Sequence, residues 1–173
     1  LRASKRQQSL RRWGECVRGA IGAWLRVPAP LRWAAPAVVM AALWWSSSRS
    51  PQPQPFDLVR ALLHNGMHVV AWSVLAASIW GAMRRRDVAN QRAAVAVGLV
   101  GAVIYGVVDE IHQSFVDGRV SSISDVLSDT AGALLGVMGC AAAFDRRRFR
   151  PMQWTGAAAL AVACVVLATF TRW

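Results

Sequence analysis

Acidic residues, lysine and cysteine are all scarce in this chain. Of 173 residues only nine are Asp or Glu, against 20 Lys and Arg, and Lys5 is the one lysine. Charged residues make up 17% and hydrophobic residues 55%, a balance that excludes disordered, collagen-like and low-complexity chains. Cys16, Cys140 and Cys164 are odd in number, form no CxxC pair, and two of them lie inside apolar runs. They read as small buried hydrophobes, and nothing in their spacing supports a disulfide framework. HExxH, Walker A, dinucleotide and kinase signatures are absent as well, so no motif points to a metal or a cofactor. The formal charge is +11, yet the arginines fall in short clusters between apolar stretches. A nucleic-acid-binding domain spreads them over one face instead.

What the chain has in quantity is apolar sequence. Five runs stand out: Trp33–Ser48, Gly66–Met83, Ala93–Val108, Val126–Phe144 and Met152–Thr171. A bilayer core about 30 Å thick takes roughly 20 helical residues, with about 17 sufficient. The third run reaches that length if its helix continues through Asp109 and Glu110. Backbone polar groups in lipid must pair within their own segment, so the runs should be helices. They carry the small residues that let such helices pack closely, including Gly132 and Gly136 four apart and Gly98, Gly101 and Gly106. The expected fold is all-α: a polytopic transmembrane helix bundle of about five spans, preceded by an amphipathic interfacial helix.

Loop charges set the expected orientation. Residues 1–32, 84–92 and 145–150 alternate with the other loops and hold 16 basic residues against three acids. The opposite side holds Arg49, Arg60, Arg119 and Arg172 against six acids. The positive-inside rule then places the N-terminus in the cytoplasm and the C-terminus outside a plasma membrane. Trp33, Trp44, Trp45, Trp80, Trp154 and Trp173 fall at run ends, where an aromatic belt sits. Before the first run, Leu10, Trp13, Val17, Ile21, Trp24 and Leu25 recur at helical spacing with Arg between them, as in a helix lying on an anionic leaflet. The resulting division is a basic segment over 1–30, a first span over 31–48 and a Pro-rich outer linker over 49–64. A three-span core over 65–144 and a basic loop with a fifth span over 145–173 complete it.

All three histidines and six of the nine acids collect on the outer side. His64 and His68 share a helix face. Tyr105, Asp109, His112 and Gln113 share another if their helix continues, with Glu110 beside them. A turn follows over Phe115–Arg119, with Gly118 free to adopt positive φ. Ser124 and Asp125 open the fourth run as cap and dipole partner, and Asp129 lies one turn deeper. Ionisable groups inside a span are paired or functional, and Arg119 has the planar fork that suits a carboxylate or phosphate. Two readings stay open: a polar network that locks helices together, or a site facing the outer leaflet.

The same residues carry a resemblance. The string Tyr105-Gly106-x-x-Asp109-Glu110-Ile111-His112-Gln113-x-Phe115-Val116-x-Gly118-Arg119, then Ser124-Asp125-Val126 and Thr130-x-Gly132, resembles the VanZ-like membrane protein family between about Asn65 and Gly139. His68 matches the family's His near the start of its helix. Asp117 stands where Pro is usual, Asn65 where Lys often precedes the His, and Asp129 where Asn is usual. The resemblance implies a small polytopic bacterial envelope protein, the family's namesake being associated with reduced susceptibility to teicoplanin. The expected function is binding of a lipid, cell-wall precursor or glycopeptide-type ligand by His68, Tyr105, Asp109, Glu110, Gln113, Arg119, Asp125 and Asp129. No metal, cofactor or nucleic acid is expected; membrane lipids are partners, and a homodimer is compatible. One alternative is an enzyme on a lipid-linked substrate, with Asp109, Glu110 and His112 as catalytic candidates. The other is a small transporter.

Overall fold

The structure is a computed structural model that describes residues 15–16, 19–20, 22–24, 26–50, 57–84, 88–144 and 151–171. A helical turn, Ala29–Arg32, precedes five longer helices: α1 (Ala34–Ser47), α2 (Leu58–Met83), α3 (Val88–Gln113), α4 (Ile123–Phe144) and α5 (Pro151–Thr171). No strand occurs among the described residues. Four of the helices are long and apolar enough to cross a membrane: α2, α3 over Gln91–Gln113, α4 over Ile123–Ala143 and α5 over Met152–Phe170. The first of the five runs forms the shortest helix. At 14 residues it extends about 21 Å, less than a bilayer core. Most of the N-terminal amphipathic stretch lies outside the described residues. Within it, residues 22–24 are helical and Trp24 Nε1 donates to the Gly81 carbonyl at 3.0 Å.

Helix boundaries follow local chemistry rather than the ends of the apolar runs. α2 starts at Leu58, ahead of its run, because extended Asp57 accepts from the Arg60 N–H at 3.0 Å and caps the first turn. The linker reading of residues 58–64 therefore gives way to helix. α3 does continue through Asp109 and Glu110, ending at Gln113. At the start of α4 the cap is Ser122, whose Oγ accepts from the Ser124 N–H at 3.2 Å. Ser124, expected in that role, lies inside the first turn.

The core forms where α2 meets α4, the most extensive helix pair in the bundle. Two glycines make the approach close: a Cβ on Gly132 would collide with the Val69 carbonyl, and one on Gly136 with the Ser73 carbonyl. Ser73 Oγ adds a hydrogen bond to the Gly132 carbonyl at 2.7 Å. Trp72, Leu75, Ala76, Ile79, Ala102, Tyr105, Ala133 and Val137 fill the space shared with α3. α1 lies against α2 and α3, and α5 packs against α4 and α2. On α5, Thr169 accepts from Asn65 Nδ2 at 2.9 Å. Large apolar side chains such as Leu63, Met67, Val70, Ile104, Ile111, Leu167 and Phe170 remain exposed around the bundle. That is the inverse of a water-soluble surface and the expected dress of a helix bundle in lipid.

Candidate ligand site at the acidic end

Asp109 sits at the C-terminal end of α3 and is 2% exposed. Its Oδ1 accepts from Ser47 Oγ at 2.6 Å, and its Oδ2 from Gln113 Nε2, one turn on, at 2.7 Å. One turn earlier on the same face, Tyr105 donates its hydroxyl to the Met40 carbonyl at 2.6 Å. His112 stacks on Trp44 with ring centroids 3.8 Å apart, and its Nε2 lies 2.9 Å from Ser48 Oγ. The spacing of Tyr105, Asp109, His112 and Gln113 thus orders one end of α3, and three of the four reach α1. Ser47 and Ser48 were not singled out from the sequence. Their signal was a run of three serines closing an otherwise apolar stretch.

Glu110 turns the other way. Its Oε2 accepts from the Ser122 N–H at 2.8 Å, fixing the segment that leads into α4, while Oε1 is buried without a hydrogen-bond partner. Asp129, one turn inside α4 from Asp125 and 1% exposed, shares a hydrogen bond of 3.0 Å between its Oδ1 and His68 Nδ1. Its Oδ2 is also buried without a partner. That oxygen points toward Gly106 on α3, where a Cβ would stand 3.3 Å away. His68 is held between His64, edge-on at 5.2 Å, and Trp72, stacked at 5.5 Å. Trp72 in turn donates to the Ala102 carbonyl at 3.2 Å.

Arg119 is placed by the turn after α3. The Arg119 N–H reaches the Val116 carbonyl at 3.0 Å, and Gly118 at the third position has φ 77°. Positive φ there is the geometry of a type II turn, whose second position, here Asp117, is where Pro is favoured. The turn closes without that Pro. The expected pairing of Arg119 with the buried acids is not what its side chain makes: Nε donates to the Arg49 carbonyl at 3.1 Å and Nη2 to the Ser46 carbonyl at 2.9 Å. Arg119 thereby caps the carboxyl end of α1, where a cation also complements the helix dipole. Arg49 itself lies 3.7 Å over the Trp45 ring.

The cluster joins Tyr105, Asp109 and His112 to α1, Gln113 to Asp109, Glu110 to the start of α4, and His68 to Asp129. Asp125, 1% exposed, belongs to the same end of α4. Among the described residues no group of three His, Cys, Asp or Glu side chains is arranged to hold a metal ion. The chemistry on offer is that of acceptors. The free oxygens of Glu110 and Asp129 suit N–H or O–H donors or an organic cation, and a buried carboxylate oxygen left unpaired is costly.

No curated protein and no solved structure matches the chain. A family model described as VanZ/LLP1 matches residues 29–144. The match reaches beyond the motif-bearing stretch to take in α1, whose serines and backbone carbonyls complete the acid cluster. It covers about two-thirds of the sequence, from the helical turn before α1 to the last residue of α4. This membrane protein belongs to the VanZ/LLP1 family.

Proposed function

We propose that the acidic end of the bundle binds an amphiphilic envelope ligand, a lipid, cell-wall precursor or glycopeptide, at the outer leaflet of the bacterial plasma membrane. Occupancy would alter susceptibility to glycopeptide antibiotics. The observation that carries this reading is the pair of buried, unpartnered oxygens, Glu110 Oε1 and Asp129 Oδ2. A network serving only to lock helices would be expected to satisfy its own members. A ligand bearing an amine, amide or hydroxyl groups supplies what they lack, whereas a bare polyanion meets four carboxylates, Asp109, Glu110, Asp125 and Asp129. The charge imbalance between the two loop sets supports the outward orientation of this end.

The test is identification of lipids and small molecules retained by the purified protein, alongside teicoplanin susceptibility of cells carrying each variant. Asp129→Asn and Glu110→Gln should each lose the retained molecule and the susceptibility phenotype at unchanged membrane levels. Retention and phenotype indistinguishable from the parent in both variants would overturn the reading. A periplasmic or extracellular reporter fused after Trp173 should be active, and an inactive one would overturn the orientation.

A second reading is favoured by the His68–Asp129 contact alone. A carboxylate that orients an imidazole is the arrangement of a general base, so a lipid-linked substrate could be turned over rather than only held. Release of a product from lipid-linked precursor, lost in His68→Gln, would select this reading.

A further inference from the structure

At the end opposite the acids, the bundle buries donors that its own acceptors leave unfilled. Arg32 closes the helical turn before α1 and is 8% exposed. Its Nη1 donates to the Arg84 carbonyl at 2.6 Å, while its Nε is buried without a hydrogen-bond partner. Arg84 follows α2 directly and is wholly buried, with its guanidinium 5.8 Å from the Trp80 ring centroid. Trp80 Nε1 and Gln91 Nε2 are likewise buried and without partners. Gln91 lies on the buried face of α3 with Ala94, Gly98 and Ala102. Gly98 packs against Ala76 and Trp80, so Gln91, about two turns nearer the start of α3, comes level with the end of α2. Trp24, bonded to the Gly81 carbonyl, closes the flank.

Each of these three unfilled groups, Arg32 Nε, Trp80 Nε1 and Gln91 Nε2, is a donor. Residues 84–92 hold Arg84, Arg85, Arg86 and Arg92 against Asp87 alone, so the region keeps net positive charge whatever Asp87 pairs with. Buried guanidinium and amide donors at a membrane boundary are costly unless an acceptor meets them. A tetrahedral oxyanion, with several acceptor oxygens and negative charge, meets both needs. Basic pockets between spanning helices are recognised headgroup sites. We propose that Arg32, Trp80 and Gln91, within the positive field of Arg84, form a phosphate-binding site for the phosphodiester of an anionic lipid at the basic end of the bundle. This site is separate from the acid cluster and stands whether or not that cluster binds a ligand.

The test compares the full chain with Arg32→Met and Gln91→Leu after reconstitution in nanodiscs of equal phosphatidylglycerol and phosphatidylcholine. Lipid retained after partial delipidation is read by native mass spectrometry. The parent protein should keep phosphatidylglycerol in preference, and each variant should hold it about tenfold less tightly, the scale of one hydrogen bond to a charged group. Gln91→Leu removes an unpaired buried amide and should fold at least as stably as the parent, so its loss of lipid cannot be ascribed to misfolding. In parallel, inorganic phosphate is titrated onto delipidated protein and thermal stability followed. Stabilisation by phosphatidylglycerol but not inorganic phosphate assigns the lipid, and equal, variant-sensitive stabilisation by both assigns a soluble phosphate at the same site. No preference for phosphatidylglycerol together with no response to phosphate overturns the site, as does retention by both variants equal to the parent's.

Discussion

Ser47 on α1 and Asp109 on α3 are 62 positions apart in the chain and share a buried hydrogen bond of 2.6 Å. It ties the shortest helix of the bundle to the carboxylate at the centre of the family motif. Ser47→Ala should remove one of the two bonds that satisfy Asp109 and destabilise the protein by roughly 1.5–3 kcal/mol, the range for hydrogen bonds to charged groups. Unfolding in mixed micelles measures the loss. Ser47→Thr should recover most of it, since the hydroxyl is kept.

Removing either partner of the His68–Asp129 contact has unequal consequences. His68→Ala leaves Asp129 with both oxygens unpaired in the core, whereas Asp129→Asn retains a polar group facing His68. His68→Ala should therefore be the more damaging, and a double-mutant cycle should return a coupling of about 0.6–1.7 kcal/mol, as for other hydrogen bonds between membrane helices. Additive losses, a coupling of zero in the cycle, would show that the contact does not stabilise the bundle.

The glycine contacts predict a contrast within one residue type. Gly136→Ala drives a Cβ into the Ser73 carbonyl, so α2 and α4 must part, at an expected cost of about 1–3 kcal/mol. Gly156→Ala on α5 meets no atom within 4 Å and should be neutral or stabilising by up to about 1 kcal/mol through helix propensity. Thermal unfolding of both variants beside the parent decides the point.

In the turn after α3, Asp117→Pro should stabilise by about 0.4–1 kcal/mol, because Pro presets the second position of a type II turn and narrows the unfolded ensemble. Gly118→Ala should act in the opposite direction, since φ 77° is unfavourable for a residue with a Cβ. Both effects are read as shifts in thermal midpoint. A destabilising Asp117→Pro would contradict the turn type assigned here.

Much of this architecture was legible in one dimension because the relevant rules are periodic. Apolar runs marked the five longer helices among the described residues, and the three- and four-residue spacings of Tyr105, Asp109, His112 and Gln113 put them on one end of α3. The misplaced start of α2 shows the limit: residues 58–65 mix Arg60, His64 and Asn65 with leucines, and the cap at Asp57 outweighs that loss of apolar continuity. What spacing could not convey is which helix end meets which. One of the two donors to Asp109, Ser47, and the acceptor of Tyr105 lie on α1, and Arg119 satisfies backbone carbonyls that no side-chain pattern announces. Buried Arg32 and Arg84 were hidden for a related reason, since arginines flanking an apolar run ordinarily read as solvated charge.

Gly132 and Asp129 are three residues apart on α4, as Val69 and His68 are adjacent on α2. The backbone of Val69 rests where a side chain at position 132 would be. The 3.0 Å separation of His68 and Asp129 is thus calibrated by a missing methyl group less than one turn away. Enlarging residue 132 would detune the acid–imidazole pair without altering either of its members.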